Sequence, residues 1–583
     1  DEHDREFFRY LRATESELGE IDAAAQEEMK HERMFCYFGY DTTCLVEYDE
    51  EPPASLNPEA LELSCIISRL FGMTPIEQIH TMRKLVIDGS NTSGFQRTAL
   101  IAVDGMLPNG GKIETICLEE EAAQRVEGDT FSLDRLGIPL VELTTSPCMK
   151  TPGEVRQIAG YLGMVLRSTG RVKRGLGTIR QDINISIREG ARVEIKGVQE
   201  LDLIAEVVDR EARRQNSLVA IRDELRKRGA SVTRSPVDIT GLFTSTSSTI
   251  LKKARHILAV RLPGFAGLVG SEIQPGRRLG SEFSDYAKKC GVGGIFHTDE
   301  LPAYGITAGE VECLRNHLKS GPDECIVIVA ADTKKASCAA LQVIRRAETA
   351  LKGVPEETRK MLEGGSTSYM RPLPGAARMY PETDVFPVRI DAEWYEGLTV
   401  PELLVEKAER FVRDLSLDPA LASQLAASEQ VFLFERAVGE GITPSLAART
   451  LLSSRKELAR AGSDISCLSD DDILDVLKAV EDGRAAKEAV PAILEKVAAG
   501  FAVREAVIEC APEVSRDRLE DIVRTIVQDR REFVKEKGMG ALGPLMGIVM
   551  AEVRGSVDGK LVSQVLKEEI ARNLSGNVPG DKV

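Results

Sequence analysis

Over the first 240 residues, apolar positions come in short runs that alternate with helical patterns. Stretches 112–118, 138–143, 184–187 and 192–195 are short and rich in Ile and Val, which predicts strands. Between them, 152–168 predicts a helix, with Thr151 as N-cap and Pro152 at the first helical position. Residues 203–228 place apolar side chains close to every 3.6 positions, the pattern of a charged amphipathic helix. Thr244 to Thr249 (TSTSST) reads as a Ser/Thr linker. After it, the apolar stretch 254–269, the all-apolar strand 326–331 and a helix over 334–351 suggest an α/β unit of about 120 residues. That unit ends near Gly364 and Gly365, and a Pro-rich loop over 371–387 follows. From about Val400 strand signals vanish and helical hairpins take over, for example 470–480, 519–534 and 560–570. The last of these carries Leu561, Val562, Val565, Leu566 and Ile570 on one face, which is core spacing.

Length changes this picture by requiring several cores, because 583 residues exceed the roughly 250–300 that one core can serve. Hydrophobic residues at 43% and charged ones at 29% predict a soluble, folded chain. No apolar run reaches the ~20 residues needed to span a bilayer. The opening residues Asp1 to Glu6 are charged, lack an initiator Met and do not resemble a signal peptide, so further natural sequence is expected upstream. Eleven cysteines, scattered singly with no CxxC pair, argue for reduced thiols in a cytoplasmic protein and against a disulfide framework or a complete zinc knuckle. The net charge of −17 argues against nucleic acid overall, but binding depends on where charge sits. Between Val155 and Arg180 there is no acidic residue, while Arg156, Arg167, Arg171, Lys173, Arg174 and Arg180 are basic. On charge alone this is a solvated basic face.

Standard nucleotide and hydrolase motifs are absent: no P-loop, GxGxxG, nucleophile elbow or HExxH. Carboxylates embedded at the ends of apolar strands stand out instead. Glu119, Glu120 and Glu121 follow Ile116-Cys117-Leu118, Glu142 lies within 138–143, and Glu194 lies within 193–196. Each alone is explained by a solvent-facing strand position or a helix start. Convergence of several would call for a cation, and carboxylates with waters suit Mg²⁺ and, through it, ATP phosphates. The stretch from Thr81 through Arg83 and Lys84 to Ser90, Gly94, Gln96 and Arg97 offers small residues, donors and cations for phosphate, or forms a surface turn. Arg180, Asp182, Asn184 and Ser186 share one face by period two, and such a face either meets solvent or lines a wet site. Of six histidines, His80, His256 and His297 sit among apolar neighbours, where a structural histidine is expected.

Taken together, GSNTSGFQRT, LEEEAA, DRLGIPLVELTT, TPGEV, GTIRQDINISI and VEIKGVQELD fall in the order found in the B/E family of tRNA-dependent amidotransferase subunits, which this chain resembles. RPLPGAARMYPETD and RVKRGLGTIRQD are similar to the archaeal E-type branch. Segment 244–365, with LAVRLPGFAG and SDYAKKCGVGG, resembles the insertion domain of bacterial-type aspartyl-tRNA synthetases, and GPLMGIVMAEVRG with LVSQVLKEEI resembles the family's helical tail.

The resemblance implies an α+β fold. A mixed α/β catalytic cradle (1–243) would be interrupted by an aspartyl-tRNA-synthetase-like α/β domain (244–365) and continue as a loop over 366–399. An all-α helical domain (400–468) and a tRNA-binding tail domain (469–583) would follow. It further implies ATP-dependent phosphorylation of the glutamyl γ-carboxylate on tRNA(Gln), then attack by ammonia. Glu119, Glu120, Glu142 and Glu194 match the family's metal-bearing acidic positions. Arg180, Asp182, Lys196 and Glu120 match its catalytic ones, and Arg83, Lys84, Ser90, Gly94, Gln96 and Arg97 its nucleotide loop. Ammonia would come from an asparaginase-like D-type partner in a hetero-oligomer, since this chain shows no amidase nucleophile. The family's first-strand motif, which supplies a Glu and a His, is not in this sequence. An aspartyl-tRNA synthetase relative would need a class II motif, which is missing, and a non-catalytic tRNA scaffold would leave the carboxylates unexplained.

Overall fold

The computed structural model describes residues 3–10, 33–175, 177–373, 379–454, 457–458, 467–510, 516–553, 557 and 559–574. The chain divides into two units, Asp1–Pro401 and Glu402–Val583. Among the described residues all strands lie in the first and the second is helical, a mixed α+β architecture.

Two sheets of the first unit carry the predicted chemistry. One is an antiparallel meander of β1 (Thr81–Leu85), β2 (Phe95–Met106), β3 (Lys112–Glu120) and β4 (Pro139–Thr145), with Met379–Pro381 added beside β1. Its register pairs Lys84 with Gln96, Thr98 with Glu119 and Leu140 with Glu119, so four strand ends meet at one end of the sheet. The helix Pro58–Leu70, capped by Asn57, which accepts from the Ala60 N–H, packs against β2 and β3. A separate sheet places Met34–Gly39 between Arg5–Tyr10 and Thr130–Ser132.

The second sheet has the order β5 (Gln181–Ile185), β6 (Val193–Val198), β7 (Glu357–Met361), β8 (Thr367–Pro372). Ile183, Ile185, Val193 and Ile195 are buried against Ile204 and Val207 of the long helix Leu201–Lys227. Alternation then turns Asp182, Asn184, Glu194 and Lys196 to the opposite face. The helix Pro152–Ser168 begins as the pattern predicts, with a capping box between Thr151 and Glu154.

β6 and β7 are parallel, so the chain must cross over between them. That crossover contains the Leu201–Lys227 helix and a complete inserted module. The module's sheet runs Val237–Asp238, His256–Pro263, Glu324–Ala331, Phe296–His297. Its strand Glu324–Ala331 is covered on one face by helices Leu279–Lys288 and Thr333–Lys352 and on the other by Ala308–Leu318, which explains its unbroken apolar run.

Two expectations need correction here. The Ser/Thr stretch 244–249 does not precede the module: the module's first strand begins at Val237, and within the stretch Thr246 and Ser248 are buried while the other residues are exposed. The cysteines are not all reduced either: Cys290 and Cys338, 48 residues apart, form a disulfide. Sequence spacing could not reveal that pair, since packing of the Thr333–Lys352 helix beside Leu279–Lys288 creates it.

Module and crossover helix meet around charges sealed from water. Arg214 donates to Glu211 (2.7 Å), Glu282 (2.6 Å) and Glu357 (2.9 Å), Arg346 donates to Glu282 (3.1 Å), and Arg359 donates to Glu357. All six side chains are essentially inaccessible, and three guanidiniums balance three carboxylates. Tyr286 adds a hydrogen bond to Glu357 (2.7 Å), and Gln274 exchanges two with the Thr367 backbone.

In the helical unit a larger core runs from Ala408 to Val507 and a smaller one from Leu519 to Ile570. Val562, Val565, Leu566 and Ile570 are buried, as their spacing predicts.

Burial alone would raise the Glu282 carboxyl, but Arg214, Arg359 and Arg346 hold it well below its usual range. A depressed folded-state value contributes stability above the unfolded value near 4.5, which is lost as pH falls through the folded one. Glu282→Gln should therefore cost about 3–5 kcal/mol at neutral pH and flatten the loss of stability below pH ~4.5, both read by urea unfolding. Equal acid sensitivity in both proteins would show that Glu282 is not the group responsible.

Candidate active site at the junction of two sheets

Along β3 successive residues alternate, so Glu119 and Glu120 leave opposite faces of the sheet. Glu119 is buried and accepts from Lys84 Nζ at 2.8 Å, and Glu142 on β4 lies 3.7 Å from the same ammonium. The Glu142 carboxyl is pushed above its usual range, first by loss of hydration and then by the adjacent Glu119, with Asp182 of the second sheet adding to the effect. Asp182 in turn accepts from Lys196 Nζ at 2.5 Å, and Glu194 lies 2.8 Å from that ammonium. One chain of charges thus runs Lys84, Glu119, Glu142, Asp182, Lys196, Glu194 across both sheets. Four carboxylates meet two ammonium groups, an excess of negative charge.

Burial works against the Lys196 ammonium, but Asp182 and Glu194 overcome it and lift its pKa. Lys196 therefore presents a fixed positive charge rather than a base. Arg180 reaches from the start of β5 to Glu121 at the end of β3, a second tie between the sheets, and Arg135 stands 3.5 Å from the same carboxylate.

The other face of the first sheet is a separate cluster. Arg83 and Arg97 are cross-strand neighbours and repel, so each has its own carboxylate. Arg83 makes a two-pronged pair with Glu382 (2.7 Å twice) and approaches Asp384, while Arg97 pairs with Glu120 at 2.9 Å. Burial raises the Glu120 carboxyl against the pull of Arg97. Gln96 Nε2 donates to the Glu120 carbonyl (2.7 Å), holding β3 in place.

The 88–94 loop is built by local bonds. Ser90 donates its hydroxyl and its backbone N–H to Asp88, and Arg9 donates to the Asn91 and Thr92 carbonyls. Gly94 has φ of +81°, a backbone conformation that favours glycine, and the Arg9 guanidinium lies against it.

The predicted residues are therefore distributed as follows. Glu119, Glu142, Glu194, Asp182, Lys196 and Lys84 form one array, whereas Glu120, Arg83 and Arg97 belong to the opposite face, and Ser90 and Gly94 to the adjoining loop. Among the described residues, no three of the predicted metal residues bring donor atoms within 4.8 Å of one another. Sequence reasoning did not select Glu382 or Asp384 as site residues and took Asp88 only as the start of the 88–97 loop. The first two come from the Pro-rich loop some 300 residues after β1, and only its PETD wording hinted at use. Part of that loop, 374–378, lies outside the described residues. A cavity of about 580 Å³ elsewhere in the unit is lined by Glu62, Ile66, Arg171 and Trp394 and by none of these carboxylates.

An α+β unit followed in the chain by a helical unit is matched over nearly its full length by known proteins. A family model for the GatB/GatE catalytic domain matches residues 10–396, and one for a GatB domain matches 432–570. The chain is 62% identical to the E-type subunit of the glutamyl-tRNA(Gln) amidotransferase of Methanospirillum hungatei, over 98% of this chain and 93% of that protein. It is 51% identical to the protein of the same description from Methanosarcina barkeri, with 98% and 93% covered. For that of Methanocaldococcus jannaschii the identity is 48%, with 98% and 94% covered. The chain belongs to the GatB/GatE family.

Replacing Glu119 by Gln removes one of the charges that raise Glu142. In Glu119→Gln the Glu142 carboxyl should titrate closer to the ordinary glutamate range, read from ¹³C signals of glutamate-labelled protein. An unchanged titration would mean that burial and Asp182, not Glu119, set it.

Proposed function

We propose that the array from Lys84 to Glu194 activates the side chain of a tRNA-bound glutamate for amidation. The chain acts as one component of a heteromeric amidotransferase that converts Glu-tRNA(Gln) to Gln-tRNA(Gln). In this reading a γ-carboxylate oxygen of the glutamate attacks the γ-phosphorus of ATP and ADP leaves. Ammonia nitrogen then attacks the acyl carbon and phosphate leaves. Ammonia comes from an asparaginase-like D-type partner, and the complex works in the cytosol, where charged tRNA is used.

The observation that carries this reading is the excess of carboxylates over ammonium groups, with Glu142 raised by loss of hydration and then by the neighbouring Glu119. Such a set fits a hard divalent cation that keeps several waters. Glu119, Glu142, Glu194 and Asp182 would hold Mg²⁺ largely through the ion's own waters, and the ion would neutralise charge on the transferring phosphoryl group. Lys196 holds its proton and faces the anionic substrate. Glu120, on the opposite face, positions Arg97 for phosphate, and Arg83 is oriented by Glu382. Arg180 braces the two sheets through Glu121. The helical unit grips tRNA away from the acceptor end, and the inserted module, with its aspartyl-tRNA-synthetase-like wording, screens which tRNA is admitted.

The test supplies the chain and its D-type partner with Glu-tRNA(Gln), ATP, Mg²⁺ and an amide donor, and follows the amino acid released from tRNA. Glutamine should form only with ATP present. Glu142→Gln and Glu119→Gln should each lower amidation on the order of 10²-fold or more while tRNA affinity stays unchanged. Loss of tRNA binding in those variants would refute the site assignment. No glutamine from the intact complex, with tRNA bound, would instead leave a non-catalytic scaffold. Removal of 516–583, which carries the smaller helical core, should weaken tRNA binding in a filter or gel-shift assay and leave ATP hydrolysis intact.

A further inference from the structure

His297 reads from sequence as a satisfied structural histidine, but its hydrogen bonding is incomplete. The residue is only 4% exposed, and its Nδ1 has no hydrogen-bond partner among the described residues. A buried imidazole nitrogen without a partner is costly, so one in a folded protein calls for an explanation. Two further donors lie beside it. Phe296–His297 pairs with the strand Glu324–Ala331, with His297 opposite Val327, and the Thr298 N–H donates to the Ile326 carbonyl. This register brings the 298–299 turn alongside Cys325, whose thiol is fully buried. A ring nitrogen of His297, a carboxylate oxygen of Asp299 and the Cys325 sulfur all lie within 4.8 Å of one another.

We propose that His297, Asp299 and Cys325 form a site for a zinc-type transition-metal ion, which pins the 297–300 turn to the central strand of the inserted module. Imidazole, thiolate and carboxylate together select a borderline-soft cation such as Zn²⁺ over Mg²⁺. This separates the site chemically from the all-carboxylate array between the two sheets. Around a tetrahedral ion with bonds of ~2.0–2.3 Å, ligand atoms stand roughly 3.3–3.8 Å apart, so the three donors close by about an ångström on binding.

The surroundings supply what such ligands need. The Gly270 N–H donates to Asp299 Oδ2 at 3.0 Å and orients the carboxylate. Glu300 Oε2 lies 3.6 Å from His297 Nε2, just beyond hydrogen-bond range, so a shift of a few tenths of an ångström lets it accept from the imidazole N–H while Nδ1 takes the ion. Gly280 leaves room for the ring, since a Cβ there would meet His297 Nε2 at 2.6 Å. Burial lowers the His297 pKa, which favours the neutral, ligating imidazole, and pushes the Cys325 thiol up to about 12, so only a bound cation brings out its thiolate.

The experiment measures metal in the full chain after dialysis against Mg²⁺-containing, zinc-free buffer. Wild type should retain about one equivalent of zinc per chain, and His297→Gln and Cys325→Ser should lose it. Cobalt(II) loaded into wild type should give a thiolate-to-cobalt charge-transfer band that is missing in Cys325→Ser. Glu300→Gln should keep the ion but release it to a competing chelator with roughly 10–100-fold weaker affinity. Wild type without zinc and without a cobalt band would overturn the proposal, as would variants that retain both. Should Cys325→Ser fail to fold, the zinc K-edge absorption spectrum of wild type decides. A shell of one sulfur with nitrogen and oxygen supports the site, and a shell with no sulfur or with several overturns it.

Discussion

Arg214 stands on the crossover helix and binds three carboxylates that arrive from different parts of the chain: Glu211 from its own helix, Glu282 from the inserted module and Glu357 from the first position of β7. Glu357 pairs in register with Val193 of β6, the strand that carries Glu194 and Lys196. The charge network thus governs where β7 lies against β6, and with it the edge from which two array residues project. Three buried carboxylates cannot be left unpaired without a penalty of several kcal/mol, so a slipped register is excluded more sharply than by apolar packing. An insertion of more than a hundred residues between neighbouring parallel strands needs such a lock, because the crossover alone specifies little about how the chain returns.

The array at the sheet junction has a different logic. Its ammonium groups sit between carboxylates rather than beside them, Lys84 between Glu119 and Glu142 and Lys196 between Asp182 and Glu194. Carboxylates held this close without a counter-ion would protonate or separate. The lysines supply part of the counter-charge, and the Glu142 carboxyl is raised first by loss of hydration and then by the neighbouring carboxylate Glu119. On the reverse face Arg83 and Arg97 follow the same rule with the signs exchanged: two cations forced together by register, each with its own acid. One strand pair therefore supports two oppositely organised charge clusters, kept apart by the thickness of the sheet.

Much of the architecture was legible because it is written locally. The Thr151 cap, the helical spacing of 203–228, the apolar strand at 326–331 and the core face of the last helix depend on residues within a few positions of one another. The carboxylates at strand ends were legible for the same reason, since an acid inside an apolar run departs from the local pattern. Period two also separated the polar face of β5 and β6 from the buried one.

Partnership was not legible. Nothing near Arg83 announces Glu382 and Asp384, and nothing near Cys290 announces Cys338. The Ser/Thr run at 244–249 has the composition of a linker, yet Thr246 and Ser248 within it are buried in the module, because burial is decided by what lies opposite rather than by the residues themselves. His297 shows the limit most directly: apolar neighbours in sequence describe its burial correctly but say nothing of the Asp299 and Cys325 that share its pocket. Sequence alone determined the kinds of element, their order and the chemical groups available. Only tertiary structure decided which groups meet, because Coulomb and coordination energies act over a few ångströms of space and are indifferent to separation along the chain.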